Sequence, residues 1–338
     1  MKENIFLTQE IGSIRKPNWA LKTLRDKNST VENNLITRND LALLNIYLFE
    51  KYGLDIIYDG ETRRIEMYEH PIRNVKGFTF TGKIRSWDNK YYRKARCIEK
   101  VGYINNFHLD EFLFVKQNAK KEIKIPITGP YTLADWSYNE YYKDKREFLL
   151  EISREIVRPL IKNLIKNGAK RIQIDEPAAT THPGEMDIFI ESINESIKGL
   201  NCHFGIHICY SGNNYRSLVP AMLDLKIDQF LLEFANRDTK LQGLEDEKRI
   251  GYSSLKLFKE HNYSGEIGLG VVDVHTDEIE SSALVKDRIL YANKIIDDPT
   301  KIYINPDCGL RTRSRETSFN KIKALIDGAK LARESINR

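Results

Sequence analysis

Short apolar runs alternate along the chain with longer amphipathic stretches, and most runs close on a polar or glycine-containing corner. The first is Ile5-Phe6-Leu7, leading to Gly12-Ser13. Next come 55–58, ending at Asp59-Gly60-Glu61, and 123–127, ending at Thr128-Gly129-Pro130. Then follow 171–174, ending at Asp175-Glu176-Pro177, and 204–209 and 230–234. The last two are 267–274 and 302–304, the latter ending at Asn305-Pro306-Asp307-Cys308. Between them, 148–166, 185–198, 284–296 and 320–336 read as amphipathic helices. Strands alternating with helices of this length predict a parallel sheet. About eight strands is what a (β/α)8 TIM barrel of the α/β class requires. A doubly wound open sheet is the alternative, but no GxGxxG follows the first run.

The spacing is uneven. A long interval after the second run contains Gly77-Phe78-Thr79-Phe80-Thr81-Gly82 and then Lys90-Tyr91-Tyr92-Arg93-Lys94-Ala95-Arg96. The alternation of Phe78 and Phe80 predicts a hairpin inserted above the barrel, within residues 65–120. No linker, repeat or low-complexity segment divides the chain, so one elaborated barrel domain over residues 1–338 is the expectation.

Composition narrows the class. The 338 residues are 41% hydrophobic and 30% charged, an ordinary globular balance. No apolar run approaches the ~18 residues of a membrane span. The net charge of +5 permits an anionic ligand without calling for nucleic acid. The start, Met1-Lys2-Glu3-Asn4, does not lead into an export signal, so a cytoplasmic setting is expected. The four cysteines, Cys97, Cys202, Cys209 and Cys308, form no CxxC pair and read as core thiols or ligands, not a disulfide framework.

The polar residues that look out of place sit at strand ends, which converge at one face of a barrel. His207 and Cys209 stand at i and i+2 of a strand and so share a face, close enough for one metal ion. Alone, that short motif reads more readily as a core pair; His203, on the same face, reads as packing. Glu233 changes the balance, because it interrupts an otherwise buried strand and a buried carboxylate needs a partner. A salt bridge is one solution and a metal another. Cys308 arrives at the end of the last strand, and one His, two Cys and one Glu make a sensible zinc set. Asp59, Glu61, Asp175, Glu176, Asp273 and His275 lie at other strand ends, where each alone reads as a cap or loop residue.

Together these pieces resemble the catalytic half of the cobalamin-independent methionine synthase family. The resemblance is carried by His207-x-Cys209, Glu233 and Asn305-Pro306-Asp307-Cys308-Gly309-Leu310. It is carried also by Ile11-Gly12-Ser13, Asp59-Gly60-Glu61, Thr128-Gly129-Pro130-Tyr131-Thr132 and Ile174-Asp175-Glu176-Pro177-Ala178, all in family order. It implies a zinc-binding barrel that methylates the thiol of L-homocysteine, in a short, core-type member without the additional N-terminal barrel. Residue by residue it implies His207, Cys209, Glu233 and Cys308 as zinc ligands. Ile11, Ser13, Glu61 and Asp175 match positions that bind the amino-acid part of homocysteine. His275 matches the proton donor, Trp136 the aromatic that stacks on the folate pterin, and Arg96-Cys97 a folate-contacting pair.

The match departs after Ala178, where full-length members usually have Leu-Arg-Glu and this chain has Ala179-Thr180-Thr181-His182, with no carboxylate at Thr181. The expected methyl donor is therefore either a methyl-folate (methyl-pterin) or methylcobalamin, on a corrinoid protein in some short members. The stretch with Lys83, Arg85, Trp87, Lys90, Tyr91, Tyr92, Arg93 and Lys94 suits a polyglutamate tail, a partner protein or simple solvation. The rival enzymatic reading is zinc-dependent alkyl transfer to another small thiol. Glu61 and Asp175 favour an amino-acid thiol over a sulfonate.

Overall fold

In the computed structural model, which describes residues 5–85, 91–209 and 215–336, the strands form a closed barrel. Six run parallel, in the order Ile302–Pro306, Glu266–Val272, Gln229–Leu232, His203–Ile208, Arg171–Asp175 and Ile125–Thr128. Ile56–Ile57 pairs with Glu122–Ile123, which leads through Lys124 into Ile125–Thr128. Thr8 bridges to Ile304 and Gln9 to Ile56, so the segment around residue 8 joins the last strand to the second and completes eight.

The first strand pairs later than the apolar run at Ile5-Phe6-Leu7 suggests. The reason lies in the barrel interior, part of which is polar. Gln9 Nε2 donates to Gln229 Oε1 at 3.2 Å and to Asn305 Oδ1 at 3.3 Å, while Lys124 Nζ donates to Gln9 Oε1 at 2.8 Å. All four side chains are buried and bonded to one another, which offsets the cost of removing them from water. Strand Arg171–Asp175 shows the same division: Ile172 and Ile174 alternate with Gln173 and Asp175, which bond to each other.

The stretch expected as one helix over 148–166 is a helix interrupted by a wider turn, Lys145–Ile152, Ser153–Val157 and Arg158–Lys166. The wider turn falls just ahead of Pro159, which has no N–H to donate. The inserted hairpin is present as Val75–Arg85 paired antiparallel with Tyr91–Tyr103. Its second strand gains a short parallel neighbour, Ser137–Asn139, which the sequence pattern did not suggest. Tyr68 fastens the hairpin: its Oη accepts the Ala95 N–H at 3.0 Å and lies 2.8 Å from Ser137 Oγ. Among the described residues, no helix is long and apolar enough to cross a membrane.

Candidate metal centre and the acidic pocket beside it

His207 lies near the end of strand His203–Ile208, and Cys209 follows it. Cys209 Sγ is 2.9 Å from His207 Nε2 and 3.0 Å from Cys308 Sγ, and His207 Nε2 is 3.4 Å from Cys308 Sγ. Three ligand atoms from two strand ends thus meet at one point. His207 Nδ1 lies 3.0 Å from the Leu231 carbonyl, the hydrogen bond that fixes the ring and leaves Nε2 for an ion. The hydrogen bond from Cys209, and after it that from His207, holds the Cys308 thiol well below its usual range against the effect of burial. The same Cys308 contact, with burial, pushes Cys209 well up. A set that readily carries thiolate suits a zinc ion.

Glu233 does not lie within the strand as its apolar neighbours suggested. The strand ends at Leu232, and Glu233 begins a turn. Asp307 builds that turn: its carboxylate accepts the N–H of Phe234 at 2.9 Å, Ala235 at 3.0 Å and Asn236 at 2.7 Å. Gly270 permits the approach, since a Cβ there would stand 2.1 Å from Asp307 Oδ1. Glu233 Oε2 accepts from Asn236 Nδ2 at 3.0 Å, with Arg237 at 3.6 Å and His275 Nε2 at 3.9 Å. Glu233 also acts on the cluster by its charge, favouring protonated His207 and disfavouring the Cys209 thiolate, although it is not among the three converging atoms. His275 likewise lies past its strand, which ends at Val272, with its N–H on Asp273 Oδ1 at 2.8 Å.

Asp307 received no role from the sequence, although a carboxylate between a buried strand and a cysteine is the kind of residue that ties loops together. Asp307→Ala should leave three N–H groups short of an acceptor and lower stability by about 2–4 kcal/mol. With Glu233 as a metal ligand, the same change should also weaken metal binding roughly 10–100-fold by freeing it. Thermal unfolding and competition with a zinc chelator check the two effects.

The amino-acid-binding candidates form a pocket of their own. The Ile14 N–H donates to the Gly60 carbonyl at 3.0 Å, which joins the loop after the first strand to the loop after the second. Glu61 Oε1 comes within 3.3 Å of where a Cβ of Gly12 would stand. Gly309, next to Cys308, lies so close to Ser13 that a Cβ there would be 2.9 Å from the Ser13 N. Gln173 Nε2 donates to the Ile11 carbonyl at 2.6 Å and to Asp175 Oδ1 at 2.7 Å, and Asp175 is in register with His207. Ile11, Ser13, Glu61 and Asp175 are thereby gathered beside the cysteines. Glu61 adopts φ 56°, a left-handed conformation uncommon for this residue type, held by its N–H on Asp59 Oδ1 at 2.8 Å. Burial pushes Glu61 up to about 7, with Asp175, Glu111 and Asp59 acting the same way and Arg64 opposing. Burial also pushes Asp175 up to about 6 against the pull of His207, Gln173 and Arg64. Such a pocket favours a cation.

Glu176 turns out to be a cap. Its carboxylate accepts from Tyr131 N–H, Thr132 N–H and Thr132 Oγ1, at 2.9, 2.7 and 2.6 Å, at the start of helix Pro130–Asp135. At the other end of that helix Trp136 is half-buried, its ring 6.0 Å from that of Tyr68. The neighbouring Asp135 pairs with Lys145 at 2.8 Å and His182 at 3.3 Å, and Thr181 Oγ1 donates to the Ala178 carbonyl at 2.6 Å. Arg96 and Cys97 lie on the hairpin strand that pairs with Ser137–Asn139, in register with Tyr138 and Asn139. Arg96 is exposed and forms a two-pronged pair with Glu140. Strand alternation turns Cys97 into the hairpin core, where its thiol is fully buried and bonded to the Glu99 carbonyl. His203 is not mere packing either: it lies 2.8 Å from Glu266 Oε2 and 2.9 Å from Arg171, at the opposite end of the barrel. In the basic stretch, Lys94 Nζ stands 4.1 Å over the Tyr138 ring. Trp87 and Lys90 lie outside the described residues, as do the side chains of Arg85, Tyr91 and Tyr92.

Comparison with known proteins agrees with this geometry. A family model described as the catalytic domain of cobalamin-independent synthase matches residues 15–331. The methionine synthase of Thermoplasma acidophilum is 46% identical over 332 residues, covering 95% of this chain and 96% of its own. That of Pyrococcus horikoshii is 38% identical over 344 residues, covering 100% and 96%. A B12-independent methionine synthase from Shewanella sp. W3-18-1, solved in complex with selenomethionine, has the same fold. Its TM-score is 0.84 at 24% identity, over 98% of this chain and 99% of that one. The chain belongs to the cobalamin-independent methionine synthase family, a family of methyltransferases, through its catalytic domain.

Proposed function

We propose that the protein transfers a methyl group from a methyl-folate to the thiol of L-homocysteine, forming L-methionine, at a zinc site made by His207, Cys209, Glu233 and Cys308. The observation that carries this reading is the meeting of one imidazole and two thiols beside an acidic pocket. Zinc held there would supply an acidifying partner for the substrate thiol, which then reacts as a thiolate.

The side chains of the chain do the rest. Glu61 and Asp175 receive the ammonium group of homocysteine, and Ser13 with the backbone at Ile11 receives its carboxylate. That anchors the amino-acid end and aims the sulfur at the metal ligands. Glu233, in a turn and not in a strand, is the ligand able to make room for substrate. In the transfer a sulfur–carbon bond forms and the nitrogen–methyl bond breaks, with the electron pair going to the folate nitrogen. That amine is a poor leaving group, and His275 supplies its proton. Trp136 offers the pterin a flat apolar face. Cys97 is left out of the donor site because its thiol is buried.

A folate donor is preferred to methylcobalamin or a corrinoid protein because the matching family is described as cobalamin-independent. An amino-acid thiol is preferred to another small thiol because the pocket presents two carboxylates. The test supplies zinc-loaded protein with homocysteine and, in turn, methyl-folate, its triglutamate or methylcobalamin, and measures methionine. Methionine from the folates is expected. Methionine from methylcobalamin alone would overturn the donor, and no methionine from any of the three would overturn the acceptor.

A further inference from the structure

Behind the acidic pocket lies a buried arginine that the reaction scheme does not use. Arg64 Nε donates to Glu111 Oε1 at 3.0 Å, and its Nη2 donates both to Glu111 and to the Pro126 carbonyl. The remaining terminal nitrogen, Nη1, stands 3.7 Å from Glu61 Oε1. The Arg64 and Glu111 side chains are 3% and 4% exposed. Glu111 is itself braced by the Tyr58 hydroxyl at 3.4 Å and by His108 Nδ1 at 2.9 Å.

A buried guanidinium is costly unless its charge and its fork of donors are both matched. Here Glu111 and a carbonyl occupy one side of the fork, and Glu61 faces the other. Without a cation, Glu61 would be worse off. Burial drives it toward the neutral acid, Asp175, Glu111 and Asp59 push the same way, and Arg64 opposes them. From the loop after the first strand, Glu10 and Lys16 also act on this corner. A neutral carboxyl has no charge with which to hold an ammonium group.

We propose that Arg64 is a positioning residue for substrate: locked in place by Glu111, it aims the Glu61 carboxylate and balances its charge so that Glu61 can receive the substrate's ammonium group. The inference rests on Glu61 as that ammonium partner.

Its test compares the dissociation constants of L-homocysteine and 4-mercaptobutanoate, which lacks only the amine, by calorimetry on zinc-loaded protein. Their ratio cancels whatever the thiol and the carboxylate contribute, and is followed from about pH 6 to about pH 8.5. In the wild type the preference for homocysteine should be present above a pH of about 7 and fade as the pH falls through it, because Glu61 must be ionised. Arg64→Lys keeps a cation for Glu111 but loses the second arm of the fork. It should cut the preference roughly tenfold at neutral pH and move its loss to higher pH, since no guanidinium arm then faces Glu61 to favour its ionised form. The double variant Arg64→Met/Glu111→Met replaces the buried pair by apolar groups, which leaves no lone buried charge as a single deletion would. It should behave the same way. An unchanged ratio and pH profile in whichever of these variants folds would overturn the role of Arg64. Glu61→Gln separates the two layers: if it leaves the ratio at the wild-type value, the reading of Glu61 itself fails.

Discussion

Cys308→Ser should abolish methyl transfer and empty the metal site while the barrel stays folded. Cys308 is the thiol on which the proposed zinc site depends most. It lies within 3.4 Å of His207 and 3.0 Å of Cys209, and it is the thiol held well below its usual range. A serine hydroxyl stays protonated where a thiol ionises, so the substitution removes a soft anionic donor and leaves a neutral one. Zinc per chain after dialysis should fall to about a tenth or less. The turnover rate should drop more than the roughly 10–100-fold that follows loss of a supporting residue around a metal. Folding should persist because Cys308 lies outside the strands that close the barrel. The polar interior and the helix layer do not depend on it. Elemental analysis, circular dichroism and a methionine assay on the same preparation check the three parts. A metal-free wild type that turns over at full rate would sink the zinc mechanism altogether.

What could be read in the chain before its structure was known divides along physical lines. The barrel was legible because most of its strands have apolar outer faces and end on conspicuous polar corners. The first strand was misplaced because its inward side chain is Gln9, matched not to other apolar groups but to Gln229, Asn305 and Lys124. A hydrophobic count is blind to a polar interior layer. Asp175 was picked out at its strand end, but Gln173, two residues before it on the same face, was passed over, and only contacts show that it holds both Asp175 and the Ile11 carbonyl. His207, Cys209 and Cys308 were legible because few other chemistries use those residue types at converging strand ends. Glu233 was singled out as an acid inside a buried strand, whereas it belongs to a turn made by Asp307, and a three-amide clamp leaves no trace in local pattern. Arg64 and Glu111 were invisible because they are 47 residues apart and each looks like an ordinary surface charge in sequence. For Cys97, resemblance supplies a position without an orientation, and in a hairpin the orientation alternates at every residue; the thiol turns into the core.

His275→Asn should slow transfer from methyl-folate by about 10²–10⁴, the usual contribution of a general acid, while leaving the metal content unchanged. The side chain is suited to that work. It is about one-third exposed, it lies in a loop and not in a strand, and its Nε2 stands 3.9 Å from Glu233 Oε2. Asparagine keeps a comparable polar shape but carries no titratable proton. The informative comparison is with iodomethane, which methylates a metal-activated thiol and releases iodide without needing a proton. If His275 protonates the departing folate amine, bound homocysteine in His275→Asn should react with iodomethane within about twofold of the wild-type rate. If His275 instead keeps Glu233 in place, the thiol itself becomes less reactive. Both donors should then slow together, and zinc affinity should fall with them. The two roles thus predict opposite patterns from one substitution. A large loss confined to the folate assigns the proton to His275, whereas equal losses reassign it to the support of the metal site.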